Sequence, residues 1–506
     1  MPLINSVISW LMKKRIHQIE LFMKYPLEVQ QELLKKLLNS ARNTEWGKCY
    51  DFRSIQTYED FRNRVTLNDY ESLKPFIDRL RQGEQNVLWP SEIKCFAKSS
   101  GTTNDKSKFI PVSQEALEEC HFKGGKDLLS IYCNNHPETN LFSGKAIAMG
   151  GTHQIVEAKN DSYYLGDLSA ILIQHLPVWV EYLRTPDLSI ALMEEWESKI
   201  EKMAAATVPH DVTNISGVPS WTLLMLKKVL EITGKKHLLE VWPNFELYIH
   251  GGVNFVPYRE QFKQLLPGDT VNYLETYNAS EGFFGIQDRS SANDMLLMLD
   301  YGIFYEFIPF EENSLDTSDI VSLSDVKTGI NYAVIITTNG GLWRYNLGDT
   351  VTFTSLRPYR IRITGRTKNF INAFGEELIV DNAEKALSIA CRKCNALLCE
   401  FTAAPVYYGE QRGAHEWLIE FEKPPDDLGF FTETLDNALK SLNSDYEAKR
   451  YHDLLLGEPL IRVMPKGTFY RWLKEKGKLG GQNKVPRLAN ERKYVEALLS
   501  LVPGVK

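Results

Sequence analysis

Between residues 4 and 42, apolar side chains recur at helical spacing with a break at Pro26, and Leu27, Leu33, Leu34, Leu37 and Leu38 share one stripe of the second half. Such a stripe predicts an amphipathic helix covering a core, and the proline separates it from a first helix. From there to about residue 365, helical periodicity over 114–131, 190–206, 221–232 and 258–266 alternates with short β-branched or aromatic runs. That alternation predicts a layered α/β architecture. Runs 333–338 and 342–347, joined by Asn339-Gly340-Gly341, predict a hairpin, because Asn-Gly and Gly-Gly accept the positive φ of such turns. Gly348 and Asp349 are expected to end its second strand. Past Gly365 the pattern changes to a strand at 369–373, a helix at 381–391, strands at 397–403 and 415–421, a helix at 432–443 and a basic tail. The expected fold class is therefore α/β, with a large layered N-terminal domain over 1–365 and a smaller α+β C-terminal domain over 366–506.

Composition narrows the function classes. At 43% hydrophobic and 24% charged residues, the chain of 506 is neither disordered, collagen-like nor a disulfide scaffold. A formal charge of -7 works against general nucleic-acid binding. Residues 462–493 nevertheless carry ten Lys or Arg against two acidic residues, so this tail is locally basic. Seven cysteines without framework spacing predict reduced thiols; Cys391, Cys394 and Cys399 lack a fourth zinc ligand and are expected to be buried structural thiols. The N-terminus places its apolar run before Lys13, Lys14 and Arg15, the reverse of a secretory signal, and no run approaches the roughly 20 apolar residues of a spanning helix. The expected location is cytoplasmic, with no membrane, nucleic-acid or obligate protein partner.

Five stretches carry candidate chemistry, each with a plainer alternative. Ser99-Ser100-Gly101-Thr102-Thr103, followed by Lys106 and Lys108, offers hydroxyl and backbone donors with compensating charge, as a phosphate loop does, or forms a solvated turn. It lacks the glycine spacing of a P-loop. Tyr277-Asn278-Ala279-Ser280-Glu281-Gly282 puts a carboxylate at a loop tip beside an aromatic face, suited to magnesium and a base, or caps a helix. Asp349, after Tyr345-Asn346-Leu347-Gly348, has two acceptor oxygens for ribose hydroxyls, or is a turn aspartate. Gly365-Arg366-Thr367-Lys368, shortly before Gly375-Glu376-Glu377, suits a hinge or an ordinary linker. Gly480-Gly481-Gln482-Asn483-Lys484-Val485-Pro486-Arg487 could project one ammonium into a cleft, or lie on a basic surface.

In this order, S-S-G-T-T closed by K-F-I-P, Y-N-A-S-E-G, Y-N-L-G-D and N-K-V-P-R resemble the adenylate-forming superfamily, and within it the auxin-responsive Gretchen Hagen type acyl acid amido synthetases. The resemblance spans about residues 95–490 and implies that superfamily's two-domain fold. It implies ATP and Mg2+ as cofactors, with Ser99, Ser100, Gly101, Thr102, Thr103 and Lys108 around the phosphates. Gly251 and Gly252 would line the adenine pocket, Tyr277 would lie against the adenine, Ser280 would belong to the nucleotide-binding set, and Glu281 would bind the metal. Asp349 would hold the ribose, Arg366 would meet the nucleotide at the hinge, and Lys484 would arrive with the C-terminal domain. Lys484, Glu281 and Thr102 would then be the catalytic set. Asp105, Asn278 and Asn346 depart from the family's commoner residues. The implied activity is ATP-dependent ligation of a small carboxylic acid to an amine, through an acyl-adenylate with release of pyrophosphate and AMP. An acyl-CoA ligase with the same first step and a non-catalytic ATP-binding protein are the alternatives.

Overall fold

The computed structural model describes residues 5, 10, 12, 14–99, 108–157, 162–252, 255, 258–290, 292–311, 314–315, 319–367, 370–371, 373, 376, 378–407, 413–450, 456–477 and 485–502. The N-terminal helices are Ile16–Lys24 and Pro26–Ala41, with Pro26 at the first turn of the second, where a missing N–H costs nothing. That helix is pinned to the sheet by buried Gln30, whose amide donates to the carbonyls of Leu299 (2.8 Å) and Ile303 (2.9 Å) and accepts from the Tyr305 N–H (2.9 Å).

Strands β1 (Cys95–Ser99) and β2 (Lys108–Val112) pair antiparallel, with Ser99 opposite Lys108. They are followed by β3 (Lys145–Ala148), β4 (His153–Glu157), β5 (Ser162–Gly166), β6 (Arg184–Thr185), β7 (Val212–Ser216) and β8 (Leu247–Gly251). Next come β9 (Asn272–Ala279), β10 (Gly282–Ile286), β11 (Met295–Leu297) and β12 (Ile303–Glu311). The series continues with β13 (Ser314–Leu315), β14 (Val321–Ser322), β15 (Asn331–Thr338), β16 (Tyr345–Leu356) and β17 (Tyr359–Arg366). A four-stranded sheet has the order β2-β1-β5-β4. The large sheet runs β13-β12-β15-β16-β17-β11-β10-β9-β8-β7-β3-β6, with β14 beside β12. From β6 to β9 its strands are parallel, and beyond β9 they are antiparallel. Helices Pro219–Thr233 and Arg259–Leu265 make the crossovers around β8, covering strands that are buried almost throughout, as a parallel sheet requires.

One core extends from Met12 to Ile361 and a second, from Ile147 to Val271, fills the other side of the parallel half. A third begins at Ile371 and ends at Leu488. It lies among helices Val380–Lys393 and Leu428–Leu442 and the C-terminal strands, which continue the series as β18 (Phe370–Ile371), β19 (Leu378–Ile379), β20 (Leu397–Tyr407), β21 (Gly413–Lys423) and β22 (Leu460–Met464). Trp221 joins Ala404, Leu418, Met464 and Phe469 in a further cluster that ties the two parts together. Among the described residues, no helix is long and apolar enough to cross a membrane.

Three expectations about elements need correction. The 190–206 helix is two, Leu188–Ala191 and Trp196–Thr207. The 114–131 helix opens as a π-helix, Ala116–Phe122, before continuing as α-helix Lys123–Asn135. The hairpin's second strand begins only at Tyr345, and Gly348 and Asp349 do not end it: β16 continues to Leu356. Its register jumps between Ile335 opposite Asn346 and Ala333 opposite Thr350, so 347–349 bulge out of the ladder. Gly348 takes φ +82° there, and the Asn346 side chain accepts its N–H at 2.9 Å. Glycine and asparagine here therefore bend the strand rather than stop it.

Candidate active site

The tip of the β9–β10 hairpin is a two-residue turn, Ser280-Glu281, because Ala279 pairs with Gly282. This excludes the helix-cap alternative for Ser280. Two residue steps inward from the tip, the Tyr277 hydroxyl donates to Asp349 Oδ2 at 2.8 Å. The other carboxylate oxygen meets Arg366 Nε at 2.9 Å, and the two residues are register partners on β16 and β17. The bulge is what aims Asp349 at both. Lys108 opens β2 with its ammonium 3.4 Å from the Tyr345 hydroxyl and 5.9 Å from the rings of Tyr70 and Tyr345. On the far side of β9, Gly251 pairs with Thr276, and a Cβ at Gly251 would stand 2.5 Å from the Thr276 carbonyl oxygen, so only glycine fits. Gly252 follows at φ +81°, turning the chain away from the strand end.

Electrostatics tie these groups into one site. Burial raises the Glu281 carboxyl above its ordinary value, while Lys108 and Arg366 oppose that and Asp349 adds to it. The Asp349 carboxylate holds the Arg366 guanidinium above the usual arginine range. Burial, then Asp349, pushes the Tyr277 phenol well up. Tyr277 is 5% exposed and packs on Phe284 at 4.7 Å, so what it chiefly presents is the hydroxyl that orients Asp349. The Ser280 hydroxyl is buried and finds no hydrogen-bond partner among the described residues.

Ser99 ends β1 beside Lys108. Gly251, Tyr277, Ser280, Glu281, Asp349 and Arg366 lie at the carboxyl edge of the parallel strands or on the antiparallel strands that continue the large sheet, whereas Ser99 and Lys108 belong to the four-stranded sheet, from which Lys108 reaches Tyr345 of β16. That edge is where open α/β sheets bind ligands. Ser100, Gly101, Thr102, Thr103 and Lys484 lie outside the described residues.

Sequence reasoning missed the support beneath the hairpin. His121, on the π-helix and 4% exposed, places Nδ1 3.2 Å from Asn278 Oδ1. Burial lowers its pKa to about 4, so the ring is neutral near pH 7. On the same helix the Cys120 thiol accepts the Phe283 N–H at 3.2 Å, and a Cβ at Gly124 would press into the Phe283 ring at 2.6 Å. A π-helical turn re-aims side chains in this way. The departures Asn278 and Asn346 are thus both structural partners, one of His121 and one of the bulge.

The motif elsewhere in the basic tail also acts locally. Arg487 donates to the Tyr258 hydroxyl (3.1 Å), ion-pairs with Glu400 and lies over the Phe401 ring at 4.7 Å, linking the C-terminal strands to the parallel half. Burial raises the thiols of Cys391 and Cys399 to about 12.

The chain matches three family descriptions in order: GH3 family N-terminal domain over residues 15–271, central domain over 296–366 and C-terminal domain over 381–493. It is 23% identical to the indole-3-acetic acid-amido synthetase GH3.3 of Arabidopsis thaliana, covering 94% of this chain and 91% of that one. It is 22% identical to the 4-substituted benzoates-glutamate ligase GH3.12 of Arabidopsis thaliana, with 94% and 95% covered. Among solved structures it superposes on the GH3.15 acyl acid amido synthetase with a TM-score of 0.79 at 17% identity, over 96% of each chain. It superposes on a 2-hydroxyisobutyryl-CoA ligase in its postadenylation state with a TM-score of 0.59 at 11% identity, over 94% and 91%.

Proposed function

The chain belongs to the GH3 family, and from that premise we propose that it is an ATP-dependent ligase that activates a small carboxylic acid as its acyl-adenylate and transfers the acyl group to an amine, an amino acid in the first instance. The observation that carries this reading is the meeting of Lys108, Tyr277, Glu281, Asp349 and Arg366 around one site at the sheet's carboxyl edge. Relatives bearing amido synthetase and amino-acid ligase names support an amine acceptor over a thiol.

In the first half-reaction a carboxylate oxygen of the acid attacks the α-phosphorus of ATP, and the bond to pyrophosphate breaks. In the second, the uncharged amine nitrogen attacks the acyl carbon, the bond from that carbon to the AMP oxygen breaks, and the proton released from nitrogen passes to solvent. The first step needs no general base, because the attacking carboxylate is already ionised, so there the protein's task is orientation and charge compensation. Asp349, held from both sides, would accept the ribose hydroxyls, and Gly251-Gly252 with Tyr277 would border the adenine. Ser99 to Thr103 and Lys108 would surround the phosphates, and Lys484 would neutralise the α-phosphate.

Glu281 and the orphaned Ser280 hydroxyl are oxygen donors, which suits magnesium as a hard cation. Bound there, the ion would neutralise phosphate charge. We place the hinge at Arg366, between the last residue of the first core, Ile361, and the first of the C-terminal core, Ile371, so that residues 1–365 and 366–506 move as two domains.

The test is acid-dependent ATP/pyrophosphate exchange over a carboxylate panel, followed by mass spectrometry of products with amine and thiol acceptors. A thioester product would assign an acyl-CoA ligase, and ATP binding without exchange would assign a non-catalytic protein. Lys484→Ala should abolish most exchange while leaving ATP affinity nearly intact; equal losses would contradict its role.

A further inference from the structure

Lys108 opens β2 of the four-stranded sheet, whereas Glu281, Asp349 and Arg366 are carried by the large one. A strap joins the two sheets beside the site: residues 65–69, between helices Tyr58–Arg64 and Tyr70–Arg81. Asn68, 5% exposed, bridges Tyr345 at the start of β16 as a parallel strand would. Its N–H donates to the Arg344 carbonyl at 2.9 Å, its carbonyl accepts the Asn346 N–H at 2.7 Å, and its side chain donates to the Trp343 carbonyl at 2.7 Å. Arg344 holds the strap from the other side, donating to the carbonyls of Arg62 and Val65 at 2.8 and 2.7 Å while Glu306 fixes its guanidinium. Its backbone takes φ +43°, a left-handed conformation that a residue with a side chain keeps only where its surroundings over-determine it.

The strap runs directly into helix Tyr70–Arg81, and that helix holds β2 at the residue after Lys108. The Tyr70 hydroxyl accepts the Phe109 N–H at 2.9 Å, and Arg81, at the helix's other end, lies over the Phe109 ring at 4.1 Å. The Lys108 ammonium stands 5.9 Å from the rings of both Tyr70 and Tyr345. Burial raises the Tyr70 phenol and pushes the Tyr345 phenol well up, so both meet the ammonium as neutral groups. Past the far end of β2, the Ser113 hydroxyl donates to the Asn339 carbonyl at 2.7 Å, an anchor independent of the strap. With that end fixed, loosening the Tyr70 contact lets the strand pivot, and Lys108 moves most.

Resting on the ligase reading above, which puts Lys108 at the phosphates, we propose that Tyr70 is a positioning residue for nucleotide binding. Through the Phe109 N–H it sets where the Lys108 ammonium stands relative to the β9–β10 turn and the β16 bulge.

The test uses the full-length chain, Tyr70→Phe, Lys108→Met and the double variant, with circular dichroism to check each fold. Tyr70→Phe keeps the buried ring and removes the acceptor. Calorimetric titration with a non-hydrolysable ATP analogue should show Kd raised about three- to tenfold by Tyr70→Phe, the value of one hydrogen bond, and raised further by Lys108→Met. The double variant should be no worse than Lys108→Met, because a positioning residue has nothing left to position. Adenosine, which carries no phosphate, should bind all of these proteins within about twofold, whereas a general loosening of the site would weaken it too. Unaltered analogue affinity in a folded Tyr70→Phe or in Lys108→Met, an equal loss for adenosine, or additive losses in the double variant would overturn the proposal. A parent protein that binds the analogue but supports exchange with no acid sinks the ligase reading alone, and the comparison of variants still decides the role of Tyr70. A parent that binds no nucleotide sinks both.

Discussion

Replacing Asp349 by asparagine keeps its shape and removes its charge. The carboxylate is 7% exposed, receives the Tyr277 hydroxyl at 2.8 Å and faces Arg366 Nε at 2.9 Å. Hydrogen bonds to a charged group contribute about 1.5–3 kcal/mol and neutral ones about 0.5–1.5, so each bond should weaken by roughly 1 kcal/mol. The Arg366 pair lies at the lower end, because the arginine side chain is 38% exposed and partly screened by water. If the same carboxylate accepts ribose hydroxyls, two further bonds weaken, and the loss for ATP binding becomes about 2–3 kcal/mol, or roughly 30- to 150-fold in Kd. Calorimetric titration with a non-hydrolysable ATP analogue measures this, with circular dichroism to check the fold. Adenosine lacking both ribose hydroxyls should bind the two proteins alike. A well-folded Asp349→Asn protein with unaltered ATP affinity would falsify the placement of the ribose at the β16 bulge.

Three further outcomes follow from buried contacts. Glu306, 1% exposed, holds the Arg344 guanidinium bidentately at 2.9 and 2.8 Å, and Arg344 also donates to the carbonyls of Arg62 and Val65; Glu306→Leu leaves that cation unpaired and should cost about 3–5 kcal/mol in urea unfolding, largely recovered by adding Arg344→Met. His121→Leu and Asn278→Ala should each weaken ATP binding by about two- to tenfold, the value of one neutral hydrogen bond, and the double variant should be no worse than either single; additive losses would show that His121 does not act through Asn278. Burial lowers His121 to about 4 and His250 to about 3 from 6.5, so between pH 6.5 and those values the unfolded chain takes up protons that the folded one refuses. Stability is then fully present above pH 6.5 and falls as the pH drops, by about 3 kcal/mol from His121 alone. Urea midpoints at pH 7 and pH 4.5 check this, and His121→Leu should flatten the difference; coincident midpoints in the parent protein would refute it.

Much of the site was legible because its chemistry is local. A hydroxyl-rich stretch before Lys108, a carboxylate at a hairpin tip and an aspartate after Gly348 are residue types whose capacity does not depend on the rest of the chain. Local signals were also ambiguous for the same reason. Ser280-Glu281 satisfies both a helix cap and a hairpin tip, and only the pairing of Ala279 with Gly282 chooses. Gly348 looked like a strand end because glycine weakens any strand, but the ladder closes again at Thr350, which no window of sequence contains. The His121–Asn278 contact joins residues 157 apart, and the π-helical turn that makes it has no periodic signature of its own.

By itself, then, the order of residues determined the period of each segment, the turn chemistry and the inventory of charges and hydroxyls, since all of these arise from sterics and hydrogen bonding between near neighbours. Strand order decided the rest. Tyr277 and Asp349 are 72 positions apart and meet only because the sheet passes from parallel to antiparallel strands at β9 and folds the second half back over the first half's carboxyl edge. The cleft of about 610 Å³ beside helix Pro219–Thr233 likewise exists only where that helix meets the C-terminal strands, for a cavity belongs to neither surface until both are present.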